Sequence, residues 1–360
     1  MTNPARLVLP LLLFLFGLLD ILLVLIFRAG SDWAALWAGA QIALTDPARL
    51  YDFEAVTRLQ EPLLGPLGAR PFVYPPSALP WLMPFAWLPL APAMIAFVGS
   101  GALLFWRAAR GIRASPAVML APPVILAALV GQTSFLVGGL ALAGLSRLRT
   151  DAIGAGILLG LVATIKPTLL ILAPFALLAG GHYRALAAAG ASSVAVILVS
   201  ILGFGLDPWL AWIEAIPRFQ AVFMAEQSLV RTAVTPYALA ARFGVASPLV
   251  LILCGGAALV AVVLVFRRGE DVAPRSVALL GGALIAAPYA MNYELALLAP
   301  AVMTLPLNRW RDALVPALFA ASLFATASVA GLALVYALFV ARGLKSADDP
   351  GVERRVDIAT

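Results

Sequence analysis

Of 360 residues, 63% are hydrophobic and 12% are charged, about half the charge of a soluble globular domain. No fold in water buries that much apolar chain, which excludes a soluble enzyme and makes the bilayer the solvent. The net charge of +6 does not imply nucleic acid, because the basic residues sit singly in short connections and form no stripe.

The apolar residues come in blocks of about 15 to 20, the length with which a helix crosses ~30 Å of hydrocarbon. The blocks are continuous rather than alternating, so the spans are helices and not barrel strands. In chain order they are expected at 7–27, 92–108, 116–130, 133–147, 152–165, 168–180, 184–203, 248–266, 276–290, 294–307 and 313–340. The last could be one tilted helix or two short ones. The first, Leu7 to Phe27, is too long for a signal-peptide core and has no small-residue cleavage site before Ser31, so it reads as a retained helix. The expected fold is an all-α polytopic membrane bundle of about 11–13 transmembrane helices. It forms one domain over 1–341, with 342–360 as a disordered cytoplasmic tail.

Two longer stretches interrupt the blocks. In residues 28–75, Trp33, Leu36, Trp37 and Ala40 fall at i, i+3, i+4 and i+7, which predicts a short helix lying flat at the membrane surface. Residues 76–90, broken by Pro80, Pro84 and Pro89, are expected in the outer interface or as a re-entrant piece, with one crossing after them. Residues 204–236 carry Asp207, Glu214 and Glu226, together with Trp209, Trp212, Phe219 and Phe223, aromatics that would anchor the interface or stack on a sugar, the first being the preferred reading.

Positive residues stay cytoplasmic. Arg107, Arg110 and Arg113, then Arg147 and Arg149, Arg184, then Arg267, Arg268 and Arg275, then Arg309 and Arg311 all fall on one side if the spans alternate. The opposite turns, at Gly131-Gln132, Lys166-Pro167 and Pro288 to Tyr293, hold one cation, Lys166. That side is read as external, in a plasma (inner) membrane, and residues 28–75 and 204–236 join it as longer loops.

Chemistry is sought on that face. Asp32 follows the first apolar block and can face water beside membrane-covered neighbours, which suits a general base. The competing role is a helix cap, with Ser31 as rival for it. The only histidine, His182, is placed in a solvated cytoplasmic loop, so a carboxylate must serve outside. Lys166 breaks the charge pattern and needs an anion, for which a lipid phosphate at headgroup depth is the candidate and snorkelling the alternative. Asp20, within the first block, is an intramembrane acid with either a functional or a structural role. Cys254 alone carries a thiol, so no internal disulfide forms, and it is expected in the core. Gly156-x-x-x-Gly160 is a helix-packing pattern.

The ordered set Ser31-Asp32-Trp33, Leu50-Tyr51-Asp52, Tyr74-Pro75-Pro76, Gly131-Gln132, Lys166-Pro167 and Tyr293-Glu294 resembles glycosyltransferase family 87, over roughly residues 30–300. These are GT-C membrane enzymes that include polyprenol-phosphate-mannose-dependent mannosyltransferases. The resemblance implies a hexose carried on a polyprenyl phosphate and transferred with inversion to the hydroxyl of a glycan or glycolipid acceptor at the outer leaflet. Asp32 is then the catalytic base. Lys166, Tyr74, Gln132, Asn292, Tyr293 and Glu294 are the substrate-binding set, with no metal or cofactor, and with membrane lipids but no nucleic acid as further partners. The chain departs from characterised mannosyltransferases at Met291, Asn292 and Tyr293, where those enzymes place a histidine.

A lipid-linked donor also follows from the residues, since nucleotide sugars are cytoplasmic and no phosphate loop is present. The alternative is a secondary transporter or lipid flippase. Such proteins set polar groups at the bilayer midplane, where Asp20 is the only clear charge.

Overall fold

The computed structural model describes residues 30–65, 70–305 and 325–345, with Leu15, Leu19 and Leu22 of the first block. Asp20 and most of 7–27, Arg309 and Arg311, the start of 313–340 and the tail beyond Lys345 lie outside the described residues. Every named element among the described residues is helical, and the one β-bridge, Ala233 to Met291, is isolated.

Helix α1, Ser31–Thr45, forms where the i, i+3, i+4 pattern placed it, and protein covers more than the one face that pattern marks. Trp33, Leu36 and Ala40 are buried, and so are Ala34, Ala38 and Ile42. A helix apolar all round is enclosed rather than laid on an interface. Helix α2, Phe53–Leu64, covers part of it, and Phe72 fills the space over Gly39, where any Cβ would overlap its ring.

Helix α3, Leu79–Ala86, has 8 residues, about 12 Å of rise, too short to cross. Helix α4, Leu90–Gly111, then begins beside α1. The indoles of Trp33 and Trp37 donate to Leu90 O and Leu88 O, each at 3.0 Å, and Met94 packs on Gly30 and Gly131. Residues 76–90 are therefore packed against α1, and α4 is the first stretch after them long and apolar enough to cross.

The next expected spans are partly broken. A 3-10 turn at Pro116–Leu120 leads into α5, Pro122–Val130, and then come α6, Ser134–Arg147, and α7, Ala152–Ile165. A second 3-10 turn, Pro167–Leu170, precedes α8, Ala173–Ala179, followed by the long α9, Tyr183–Phe204. Prolines open most of these breaks, as expected where the ring removes an N–H. Residues 204–236, expected as a loop, are instead mostly helical in α10, Asp207–Ala225, and α11, Gln227–Thr232. After α12, Pro236–Arg242, come α13, Pro248–Arg268, and α14, Val272–Ala286, the latter with a π turn at Val277–Gly281. A 3-10 stretch, Asn292–Leu298, and α15, Ala325–Lys345, complete the described bundle. Four described stretches are long and apolar enough to cross unaided: α4, α9, α13 and Ser328–Lys345 within α15. The protein is an all-α polytopic membrane protein in which other expected spans are shorter, interrupted pieces.

Glycine seams fix how the helices run. Gly101 meets Phe135, and Phe105 meets Gly138 and Gly139, so α4 and α6 are parallel. Gly156 lies on Ala185 and Ala188, and Gly160 on Ala189 and Ser192, so α7 and α9 are parallel too, with no room for a Cβ at either glycine. Parallel pairs place the arginine-bearing ends together. Arg149 pairs with Glu270, and Arg275 donates to Gly269 O at 2.8 Å and lies 3.3 Å from His182 Nε2. His182 is half-buried rather than solvated, and burial followed by the Arg275 charge holds its pKa below the ordinary histidine value. Cys254 is half-exposed on α13 and not in the core.

Candidate functional site

The site gathers at the opposite end. Asp32 is the second residue of α1, whose N-cap is Gly30 at φ 78 with no side-chain capping bond. Neither Asp32 nor Ser31 caps the helix. The carboxylate is turned instead toward α5. Its Oδ2 accepts from Gln132 Nε2 at 2.6 Å, while Oδ1 lies 3.3 Å from the Ser31 hydroxyl and 3.4 Å from Arg70 Nη1.

Gln132 reaches Asp32 because Gly131 ends α5 in the left-handed region, φ 77, directly against Trp33. A side chain at Gly131 would be strained by that backbone and would collide with Trp33. The amide orientation of Gln132 is set by its neighbours. Its Oε1 accepts from the Tyr74 hydroxyl at 3.0 Å and from Thr133 N at 3.3 Å, so Nε2 serves Asp32 and, at 3.0 Å, the Tyr293 oxygen. Tyr74 also lies 3.0 Å from Thr133 Oγ1, and burial pushes its phenol above the ordinary tyrosine value, which keeps it a donor.

Other motif residues hold these in place. The buried Tyr51 donates to Tyr74 O at 2.6 Å. Asp52 caps α2 through Ala55 N at 3.0 Å and pairs with Arg49. Asn292 Oδ1 accepts from Tyr293 N at 3.0 Å, shaping the turn that delivers Tyr293 and Glu294. Lys166 and Glu294 form an ion pair at 2.7 Å, with side chains only 16% and 10% exposed. The Lys166 ammonium also lies 5.8 Å from the centre of the Tyr74 ring.

A cavity of about 560 Å³ opens on this cluster. Of the residues singled out from the sequence, Asp32, Tyr74, Gln132, Asn292 and Tyr293 are in its wall. Lys166 and Glu294 are not. The anion that compensates Lys166 is Glu294, so the lysine needs no lipid phosphate to satisfy its charge. Arg70, absent from the sequence reading, is in the wall. Its signal was a lone Arg-Pro four residues before Tyr74-Pro75, in the stretch expected to be external.

The remaining wall is largely apolar and aromatic, with Phe72, Phe219 and Phe223 among its residues. Phe223 stacks on Tyr289 with centroids 4.4 Å apart, and Phe219 stacks on Phe53 at 5.4 Å. Two of the four aromatics read mainly as interfacial anchors thus line a cavity. Trp212 donates to Val73 O at 3.3 Å, holding the strap that carries Arg70 and Tyr74, and Trp209 donates to Ser200 Oγ at 3.0 Å.

The model of glycosyltransferase family 87 matches residues 72–288, well over half of the chain. The matched segment contains Tyr74, Gln132 and Lys166, while Asp32, Arg70 and the 291–294 turn flank it. No curated protein and no solved structure matches the chain.

Proposed function

The chain belongs to glycosyltransferase family 87, and from that premise we propose a specific reaction for this membrane glycosyltransferase. It moves a hexose, mannose-like, from a polyprenyl-phosphate donor to a hydroxyl of a glycan or glycolipid acceptor, by a single inverting displacement at the external face of the plasma membrane. The observation that carries the reading is the Asp32 carboxylate in the wall of a mostly apolar cavity, held by Gln132 at 2.6 Å.

In the reaction the acceptor oxygen attacks the anomeric carbon. The bond from that carbon to the phosphate oxygen breaks with its electron pair leaving on phosphate, and the acceptor proton passes to Asp32. Gln132 holds Oδ2 at 2.6 Å while Oδ1 has only the longer contacts to Ser31 and Arg70, so Oδ1 is the accepting atom. The apolar wall suits prenyl units and excludes water that would compete with the acceptor. The external assignment is supported by the site lying opposite the arginine-rich loops.

Purified protein incubated with labelled polyprenyl-phosphate hexoses, with and without glycolipid acceptors, tests the reading. Transfer with inverted anomeric configuration is expected. Transfer from a nucleotide sugar and from no lipid-linked donor would overturn it.

A further inference from the structure

With Lys166 neutralised by Glu294, the donor phosphate of the proposed reaction needs another cation. Among the described residues, Arg70 is the one Lys or Arg in the cavity wall. Its backbone is fixed. Arg70 O accepts from Gln60 Nε2 at 2.8 Å, and Gln60 is itself buried and bonded to Val56 O, within α2. Its side chain is 32% exposed and meets Asp32 through one nitrogen at 3.4 Å, longer than a normal charge-assisted bond. Asp32 by contrast has its tight bond, 2.6 Å, with Gln132. The two ends of the Arg70–Asp32 pair are therefore held unequally. Asp32 keeps its place without Arg70, and Arg70 has a fork of N–H donors of which one is used among the described residues.

We infer that the donor's phosphate takes Arg70 over from Asp32, so that one guanidinium covers the base in the empty protein and anchors the leaving group in the loaded one. The inference rests on the lipid-phosphate reading above. A phosphate offers the guanidinium two oxygens in the geometry it fits best, whereas the Asp32 Oδ1 contact offers one. Arrival of the donor thus uncovers the Oδ1 that must take the acceptor proton. Bond cleavage then converts a phosphodiester into a monoester bearing more negative charge, and Arg70 is the group that meets it. Without donor, Asp32 stays covered and an acceptor or water meets no free base.

Binding of dodecyl phosphate to the purified protein, read without any transfer, tests this, with inorganic phosphate as a second arm. Arg70→Gln should weaken dodecyl phosphate binding roughly 10–100-fold. Asp32→Asn should tighten it roughly tenfold, because Arg70 no longer has a competing anion. In the Arg70→Gln background most of that gain should vanish. Inorganic phosphate should follow the same pattern more weakly; a pattern confined to inorganic phosphate would place the anion site away from the lipid donor and overturn the inference. Equal gains in both backgrounds, or dodecyl phosphate binding indifferent to Arg70, would do the same. If Arg70→Gln does not fold, Arg70→Lys replaces it. The unforked ammonium should lower both the affinity and the gain, and an unchanged gain counts against the exchange. A parent that binds lipid phosphate with this pattern yet transfers no sugar would remove the donor reading and leave the exchange standing.

Discussion

The Lys166 ammonium lies 2.7 Å from the Glu294 carboxylate, 128 residues later in the chain. The pair ties the turn after α7 to the turn that delivers Tyr293. Breaking a mostly buried pair by removing one partner costs about 3–5 kcal/mol, since it strands the other charge. Lys166→Met and Glu294→Gln are each expected to lower thermal stability in detergent markedly. The double variant should recover most of the loss. A Lys166→Met protein as stable as the parent but defective in donor binding would return the lysine to the substrate.

Asp32→Asn should reduce turnover by roughly 10²–10⁴-fold, because an amide cannot take the acceptor proton. Since Asp32 makes no capping bond, stability should change little. Single-turnover transfer with labelled donor reads the rate, and a melting curve reads the fold. Parent-like turnover would remove Asp32 as the base and with it the proposed mechanism.

Gln132→Glu replaces the donor held 2.6 Å from Asp32 by a second carboxylate. Two carboxylates sharing one site retain a proton to higher pH, because ionising both is penalised. That proton occupies the pair at low pH and leaves as pH rises. Activity relative to the parent should therefore be lowest at low pH and increase with pH. A constant ratio across the range would show that Gln132 does not act through Asp32.

Much of this was legible in the chain. The apolar blocks gave helices, the prolines of 76–90 gave a helix too short to cross by itself, and Gly156-x-x-x-Gly160 gave a real seam. Short motifs spread over residues 31–294 pointed to one end of the bundle. The misses have physical causes. Residues 207–225 read as a loop because Asp207, Glu214 and Trp residues dilute their hydropathy, although the stretch is helical and supplies Phe219 and Phe223 to the cavity wall. Helix α1 read as covered on one face because periodicity marks one apolar face and does not report that Phe72 and α2 close another. Lys166 was noticed for being a misplaced cation, but only three-dimensional pairing shows which of Lys166 and Arg70 already has a carboxylate to itself.

Sidedness can be checked with a single thiol in a Cys254→Ala background. Asp46→Cys, exposed after α1, should react with an impermeant maleimide in intact spheroplasts. Arg184→Cys, exposed at the opposite end, should react only after lysis. The reverse pattern would invert the membrane and place the cavity in the cytoplasm.

Substitution along the α7–α9 seam should separate packing from propensity. Gly160→Leu overlaps Ser192 and Ala189, and overpacking of this kind costs about 1–3 kcal/mol or more. Gly203→Ala on α9 has nothing within 4 Å and should be neutral in the same melting assay.

That seam has a consequence for biogenesis. Helices α7 and α9 run in the same direction, so the chain must cross back through the α8 region before α9 is made. At roughly 5–20 residues per second of synthesis, the groove at Gly156 and Gly160 stays unfilled for about two to six seconds. During that interval α8 passes in the opposite sense. A groove that admits backbone this closely is a vacancy that the nascent chain carries through the membrane, and the order of translation decides which helix is the first of the right polarity to arrive.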